Sequence, residues 1–268
     1  MAGGTAFYFS RALCYLDVNY LLVTALAEKE MRYVTALRDK GIEVKVQAST
    51  NTVYFENIYA ENQDQRTQNV LQQADPFTTE QLLSVSAKIF HLGPLLADDI
   101  STELIKVLAL KGRVSLDAQG YLRKVENKKV YPVDWPDKRE ALQYVDILKA
   151  DAAEMEVLTG YGDVANGARV LADWGVKEVV ITNGSMGSTI YFEGDFYIIP
   201  AYQPDIVVDA TGCGDTYMAG YLYQRVKGTG IQEAGQFAAA MAGLKTASHG
   251  PFTGSEDDVL NFLNKNPF

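Results

Sequence analysis

Cysteine, histidine and long apolar runs are scarce in this 268-residue chain, and each scarcity excludes a class of protein. The chain has two cysteines, Cys14 and Cys213, and two histidines, and none of them shows metal-ligand spacing. The sequence therefore predicts neither a disulfide framework nor a zinc or histidine-based metal centre.

Hydrophobic stretches are short as well. The most apolar early segment, Val18 to Ala27, is far too short to cross a bilayer. The N-terminus has no basic region followed by an apolar core and a cleavage site. Basic residues are outnumbered, 24 against 34 acidic ones, and the net charge of −10 argues against nucleic acid or an anionic membrane as the main partner. We expect a soluble, cytoplasmic protein.

What the chain does contain is an alternation of short apolar runs with segments of helical periodicity. This pattern is typical of an α/β fold in which helices cover both faces of a mostly parallel sheet. We expect one domain over residues 1–268. The predicted strands are Tyr20–Thr24, Lys88–Leu92, Val114–Asp117, Ile147–Lys149, Glu178–Thr182 and Ile206–Val208.

One segment, residues 42–70, breaks this alternation. Ile42–Gln47, Thr52–Tyr59 and Arg66–Val70 show period-2 patterning between polar turns, which predicts antiparallel strands with one polar face. Such an insertion is either a lid over a site, a dimer surface, or both. A second predicted hairpin, residues 188–199, falls late in the chain at the sheet edge.

The strongest chemical signal is the segment DIVVDATGCGDTYMAGYLYQRVKG, residues 205–228, which reads as strand, glycine-rich turn and helix. Gly212 and Gly214 allow a sharp turn and a close approach of the backbone to a ligand. The following helix offers unpaired N–H groups and its positive dipole end to an anion. Asp215 is placed to accept a proton from a hydroxyl aimed at that anion, as phosphoryl transfer requires. The alternative is an Asp that merely caps a helix.

Two other nucleotide-binding patterns, G-x-x-x-x-G-K-[ST] and a strand-linked G-x-G-x-x-G, do not occur in the sequence. Residues 209–217, DATGCGDTY, resemble the second signature of the PfkB (ribokinase-like) carbohydrate kinase family. Three further segments resemble family segments in the same order: Gly3-Gly4 before a helix, KADAAEMEVLTG at 149–160, and VVITNGSMGSTIY at 179–191. The resemblance implies a ribokinase-like three-layer sandwich with a small β-sheet lid.

The resemblance also implies roles for individual residues. Asp215 would activate the substrate hydroxyl, and the backbone of Gly212, Cys213 and Gly214 would form an anion hole. ATP and Mg²⁺ would be bound, with Glu154 organising the magnesium and its waters; the alternative is an exposed helix carboxylate. The residues expected to border the ATP phosphates are Thr182, Gly184, Gly187 and Asp151, although 182–187 is equally a strand-to-hairpin turn. Asp209 and Thr211 fall on positions that in many members bind a monovalent cation such as K⁺ together with the later loop, here Ser248–Gly254.

On the substrate side the chain departs from the family. The residues expected to contact substrate are Gly3, Gly4, Tyr8, Asn51 and Arg66, although Arg66 is equally a solvated arginine at a strand end and Asn51 also suits a turn. Tyr8 stands where the family has Asn, which makes the predicted substrate wall more aromatic. Family members also carry a strand before the glycine pair. Its absence here predicts either a shortened chain or a sheet without a central strand, which would leave backbone groups unpaired.

These observations predict an ATP-dependent kinase that phosphorylates a hydroxyl of a sugar or sugar derivative. A nucleoside kinase of the same family is an alternative, in which Phe7, Tyr8 and Phe9 would stack on the base. Another is a non-catalytic protein that binds a small molecule or nucleotide, since substrate-side elements are missing. By analogy with the family, the lid would also form a homodimer.

Overall fold

The computed structural model describes residues 2–59 and 66–266. The strands are β1 (Leu22–Leu26), β2 (Val44–Ala48), β3 (Tyr54–Tyr59), β4 (Arg66–Gln72), β5 (Ile89–Leu92), β6 (Arg113–Asp117), β7 (Arg123–Glu126), β8 (Lys129–Pro132), β9 (Ile147–Asp151), β10 (Glu178–Thr182), β11 (Ser188–Phe192) and β12 (Asp195–Ile199). The α-helices are α1 (Gly4–Leu13), α2 (Met31–Arg38), α3 (Thr79–Leu82), α4 (Thr102–Ala109), α5 (Lys138–Ala141), α6 (Ala152–Thr159), α7 (Val164–Asp173), α8 (Cys213–Val226), α9 (Ile231–Thr246) and α10 (Glu256–Lys265). None of the described helices is both long and apolar enough to cross a membrane.

The central sheet has six strands in the order β12-β11-β10-β9-β6-β5. β5, β6, β9 and β10 are parallel, and the predicted hairpin β11–β12 extends the sheet with antiparallel pairing. Neighbouring residues of one strand enter different cores: Ile147 packs with α1, α8 and α9, whereas Leu148 packs with α4, α6 and α7. Helices therefore cover both faces, which explains the continuous apolar runs and confirms the predicted α/β fold.

β1 and β2 form a separate parallel pair, so the prediction that residues 42–47 belong to the lid is wrong. Ile42 and Val44 are buried in a small core with Leu26 and Leu37. Packing against β1 and α2 removes these apolar side chains from water. The hydrophobic gain grows with the area removed from water, and this burial favours pairing with β1 over a place in a lid sheet that has one polar face.

A cavity of about 810 Å³ separates β1 from β5. Both strands line it, together with Phe9 and Leu13 of α1. Within the described ranges, 2–59 and 66–266, no strand pairing joins β1 to β5. The edges of β1 and β5 that face the cavity therefore contribute no backbone hydrogen bonds to a sheet ladder.

The lid is a four-stranded antiparallel sheet in the order β3-β4-β8-β7. β3 lies inside the predicted insertion and β4 begins there but ends at Gln72, just beyond it, whereas the hairpin β7–β8 lies outside it and was not predicted. The turn of that hairpin is formed by Asn127 and Lys128, whose φ angles of 50° and 67° suit a tight connection. β7 follows the end of β6 after one short 3-10 turn, so this half of the lid begins beside the central sheet.

The prediction of a strand at Ile206–Val208 is also wrong. This segment is extended but joins no ladder, and its three side chains are 70%, 61% and 43% exposed. The N–H groups of Val208 and Asp209 donate instead to the carbonyl of Thr246, at 2.7 and 3.1 Å. The end of α9 thus replaces a neighbouring strand as the hydrogen-bond partner.

Candidate active site

Charged and polar side chains collect at the carboxyl ends of the parallel strands. The strand register places Asp117 of β6 beside Lys149 of β9, and Asp151 of β9 beside Thr182 of β10. In an open parallel sheet this edge is where ligands bind. The N-terminal turns of α1 and α8 approach the same edge, because Thr5 donates a hydrogen bond to Asp215.

The turn before α8 depends on Gly212. Its φ of +77° is left-handed, a conformation that favours glycine. A Cβ at this position would also overlap the ring of Tyr8, which lies directly against the turn. Tyr8 is only 4% exposed, so its buried ring packs between the turn and the protein interior. That Tyr8 contacts substrate stays a prediction.

The backbone N–H groups at this turn are not equivalent. The N–H of Cys213 donates to the carbonyl of Ala210 at 3.2 Å. The N–H groups of Gly214 and Asp215 lie in the first turn of a 14-residue helix, where no preceding turn supplies an acceptor. An anion approaching α8 would therefore meet Gly214 and Asp215 more readily than Cys213, and it would face the positive end of the helix dipole.

The pKa of the Asp215 carboxyl group is shifted strongly from its ordinary value. Burial, followed by the negative charge of Asp117, raises the pKa of Asp215 to about 6. The hydrogen bond from Thr5 and the positive charges of Lys149 and Arg123 act in the opposite direction. A carboxyl group with a pKa near neutrality, in a recess between two helix N-termini, can both accept and release a proton.

Lys149 is a functional candidate that sequence reasoning missed. Its side chain is 6% exposed, and its Nζ lies 3.1 Å from Asp117 Oδ2 and 3.7 Å from Glu154 Oε2. Although burial acts to lower it, these carboxylates keep the pKa of Lys149 above its ordinary value, so the ammonium stays charged. The same Nζ lies 3.4 Å from where a Cβ on Gly214 would stand. A fixed positive charge therefore adjoins the turn that is predicted to bind an anion.

Glu154 and Asp151 form a capping box at the start of α6. The N–H of Asp151 donates to Glu154 Oε2 at 2.7 Å, and the N–H of Glu154 donates to Asp151 Oδ1 at 2.8 Å. Burial raises the pKa of Glu154. Carboxylate oxygens suit Mg²⁺, which usually takes one or two of them and completes its shell with phosphates and water. The described ranges hold no cluster of three or more His, Cys, Asp or Glu residues able to bind a metal. Glu154 therefore fits a Mg²⁺ ion whose other ligands are phosphate oxygens and water.

The predicted phosphate-binding segment lies between β10 and β11. Gly184 and Gly187 both have positive φ, +51° and +94°. A Cβ on Gly187 would overlap the carbonyl oxygen of Ile199, so this glycine is required by close backbone packing. The segment begins at Thr182, beside Asp151, and therefore opens onto the same edge as Lys149. Its contact with ATP stays a prediction.

On the substrate side, the glycine pair leads directly into α1. Gly4 has a φ of +75° and lies against Leu95, and it brings Thr5 to Asp215. One turn later Phe9 stacks on His91, with ring centroids 4.3 Å apart. Burial lowers the pKa of His91 to about 4, so its imidazole is neutral at physiological pH.

The remaining predicted substrate residues lie near the lid. Asn51 is in the connection that precedes β3, and its carbonyl accepts from Ser49 Oγ at 2.6 Å. The side chain of Arg66 lies outside the described residues. The lid instead contributes Arg123, whose guanidinium lies 5.9 Å from the ring centroid of Phe55 and acts electrostatically on Asp215. Arg123 was not predicted, because it belongs to the unexpected hairpin.

Asp209 and Thr211, the predicted monovalent-cation residues, begin the turn. The N–H of Thr211 donates to Asp209 Oδ1 at 2.9 Å. Nζ of Lys245 lies 2.7 Å from the Asp209 carbonyl oxygen and 3.4 Å from Oδ2. Partial burial opposes ionisation, but the hydrogen bonds from Thr211 and the charge of Lys245 lower the pKa of Asp209 to about 2. The ammonium group of Lys245 thus contacts two oxygens of Asp209, one of the residues predicted to bind an added cation.

Comparisons with known proteins bear on the family and the fold. Two curated relatives are a cytidine kinase of Thermococcus kodakarensis, 34% identical over 153 residues, and a ribokinase of Arabidopsis thaliana, 34% identical over 142 residues. These alignments cover 56% and 49% of this chain but 51% and 37% of the relatives. The chain thus matches about half, or less, of the length of these curated relatives.

Solved structures match over a much larger share. A pyrophosphate-dependent kinase in the ribokinase family, in complex with a pyrophosphate analogue and myo-inositol, superposes with a TM-score of 0.86. It is 31% identical, and the match covers 97% of this chain and 91% of that one. Arabidopsis thaliana ribokinase with ribose and ATP, at 22% identity, supports the fold alone, with a TM-score of 0.79 over 98% of this chain and 88% of that one. The model of the pfkB family of carbohydrate kinases matches residues 2–258, and the chain therefore belongs to this family.

Proposed function

We propose that this protein transfers a phosphoryl group to a hydroxyl of a sugar or related polyol, with Asp215 as the base. The observation that carries the proposal is the carboxyl group of Asp215 in the first turn of α8, with a pKa raised to about 6. At neutral pH such a group is mostly ionised, yet it is more basic than an ordinary aspartate. Lys149 and the first-turn N–H groups supply the adjoining positive potential.

In this mechanism the acceptor hydroxyl donates a hydrogen bond to Asp215 and loses its proton to that carboxylate as the new O–P bond forms. The bond between the transferred phosphorus and the bridging oxygen of the donor breaks, and ADP leaves when ATP is the donor, or phosphate when pyrophosphate is the donor. Gly214 and Lys149 face the transferred group, whose equatorial oxygens carry the developing charge. The leaving phosphate oxygens lie toward the Gly184–Gly187 turn. Mg²⁺, when bound through Glu154 and water, would neutralise part of the phosphate charge.

Two donors are supported by different observations. ATP, the predicted donor, is favoured by the exposed apolar run Ile206–Val208, which precedes the anion-binding turn and offers a surface to a nucleobase. Pyrophosphate is favoured by the likeness to a pyrophosphate-dependent kinase at 31% identity. Val207→Asp distinguishes them, because a carboxylate there would raise the KM for ATP and leave the KM for pyrophosphate unchanged.

The acceptor is either a sugar or polyol, or a nucleoside. A sugar or polyol is favoured by membership of the pfkB family and by the likeness to a kinase that binds myo-inositol. A nucleoside is favoured by the 34% identity to a cytidine kinase. The size of the acceptor that fits beside Asp215 would decide which class is accepted.

The test is phosphoryl transfer by the purified chain, with ATP or pyrophosphate as donor. The acceptors are ribose, myo-inositol, cytidine and inosine, and the product is detected by mass spectrometry. We expect one acceptor to be phosphorylated, and Asp215→Asn to lower the rate of product formation by about 10²–10⁴-fold. Asp163→Asn is the matched control, because Asp163 also begins a helix but caps α7 on the surface. Ligand-dependent thermal stabilisation without any product would instead identify a binding protein.

A further inference from the structure

Lys245, in the last turn of α9, is completely buried although it carries a long charged side chain. Burying an ammonium is costly unless it is paired with oxygen ligands. Among residues 2–59 and 66–266, the oxygen partners of Nζ belong to Asp209: its carbonyl oxygen lies at 2.7 Å and its Oδ2 at 3.4 Å. Other groups near it are the ring of Tyr8, 6.0 Å from Nζ, and the exposed His249, whose Nδ1 lies 3.9 Å from Asp209 Oδ2.

A carbonyl and a carboxylate oxygen converging on one point are ligands for a hard monovalent cation. The family resemblance places such a cation at Asp209 and Thr211. An added K⁺ that used the oxygens of Asp209 would have to share them with a buried ammonium of the same charge, and the repulsion between the two cations is unfavourable. The residues present therefore do not fit a bound K⁺.

We propose that the ammonium of Lys245 is a built-in substitute for a monovalent cation. It holds the turn that begins at Asp209, and it makes the protein independent of K⁺. The part of the proposal that concerns the reaction rate rests on the proposed kinase function, whereas the part that concerns cation binding does not.

The connection from Lys245 to the site is short. Asp209 Oδ1 accepts from the N–H of Thr211, which precedes Gly212 and the start of α8. Cys213 Sγ lies 3.7 Å from the carbonyl oxygen of Ala242, a second tie between the turn and α9. Lys245 is thus a positioning residue: it acts through Asp209 on the N–H groups that would face the phosphoryl group.

The experiment compares the wild-type chain with Lys245→Met, which removes the charge and keeps the length. Lys227→Met is the matched control, because it removes an ammonium paired at 2.7 Å with Glu256, away from the turn. Melting temperature and phosphoryl transfer are measured in chloride salts of K⁺, NH₄⁺, Na⁺ and tetramethylammonium at constant ionic strength.

For the wild type, we expect the melting temperature and the rate to be the same in all four salts. For Lys227→Met, we likewise expect no difference between the four salts. Lys245→Met should melt at a lower temperature and lose at least tenfold in rate, and K⁺ or NH₄⁺ should restore both in preference to tetramethylammonium. Selective rescue would not occur if Lys245 merely filled space.

Activation of the wild type by K⁺, or loss in Lys245→Met that no small cation restores, would overturn the proposal. If Lys245→Met does not fold in any salt, the shorter Lys245→Gln is used, and the wild-type salt comparison decides if neither folds. If the wild type phosphorylates no acceptor, the kinase proposal is wrong, while the melting temperatures still test the role of the ammonium.

Discussion

Asp215→Asn replaces the proposed base by a neutral amide of the same shape, and it should change activity and stability in opposite directions. Loss of a general base lowers the rate by about 10²–10⁴-fold. The rise of the Asp215 pKa from an ordinary 3.8 to about 6 means that the folded protein disfavours the ionised carboxylate. At about 1.4 kcal/mol for each pKa unit, this penalty approaches about 3 kcal/mol when the group is fully ionised.

The sign of the stability effect follows from proton binding. Between pH 3.8 and about 6 the folded state keeps the proton that the unfolded state releases, so stability falls as the pH rises through this window. Asn cannot ionise and carries no such penalty. The variant should therefore be more stable than the wild type by up to about 3 kcal/mol at pH 8, and by about half as much at pH 5. For a chain of this size the difference at pH 8 raises Tm by several degrees.

Urea denaturation at pH 8 and pH 5 measures this difference directly. Asp209→Asn, in the same turn, is the control of opposite sign. Because the pKa of Asp209 is lowered to about 2, its ionised form stabilises the fold, and its removal should cost about 2 kcal/mol at pH 8. An Asp215→Asn variant that is less stable than the wild type at pH 8, or a gain that does not vary with pH, would refute the reasoning.

Three further predictions test other parts of the site and fold. The transfer rate should fall as the pH drops through about 6, where Asp215 gains a proton; in pH–rate profiles Lys149→Met should move this midpoint upward, because the charge of Lys149 lowers the pKa of Asp215. In chemical denaturation Gly212→Ala should cost more stability than Gly228→Ala, since both have left-handed φ but only Gly212 lies against Tyr8; equal costs would contradict this packing. Glu178→Ala should cost about 3–5 kcal/mol, because Glu178 is buried and paired with Arg113 and Arg225, whereas Glu126→Ala, at an exposed pair, should cost at most about 1 kcal/mol.

Local patterns predicted the parts of the fold in which local and tertiary preferences agree. The apolar runs at 147–149 and 178–182 are strands because both of their faces are buried. Ile206–Val208 is also a short apolar run, yet its hydrogen-bond partner is the end of α9 instead of a strand. Residues 42–47 pair with β1 instead of the lid. In both cases the hydrogen-bond partner is distant in the chain, and the local pattern carries no information about it.

The sequence by itself determined the glycine turn, the helix that follows it and the position of Asp215 at the helix entry, because these depend on neighbouring residues and on the φ angles that glycine permits. The tertiary structure alone decided which charges surround them. Lys149 meets Asp117 across 32 positions of the chain, and Lys245 meets Asp209 across 36. Burial and pairing at such separations set the pKa of Asp215 and fill the cation position, because electrostatic effects depend on distance in space and on exclusion of water.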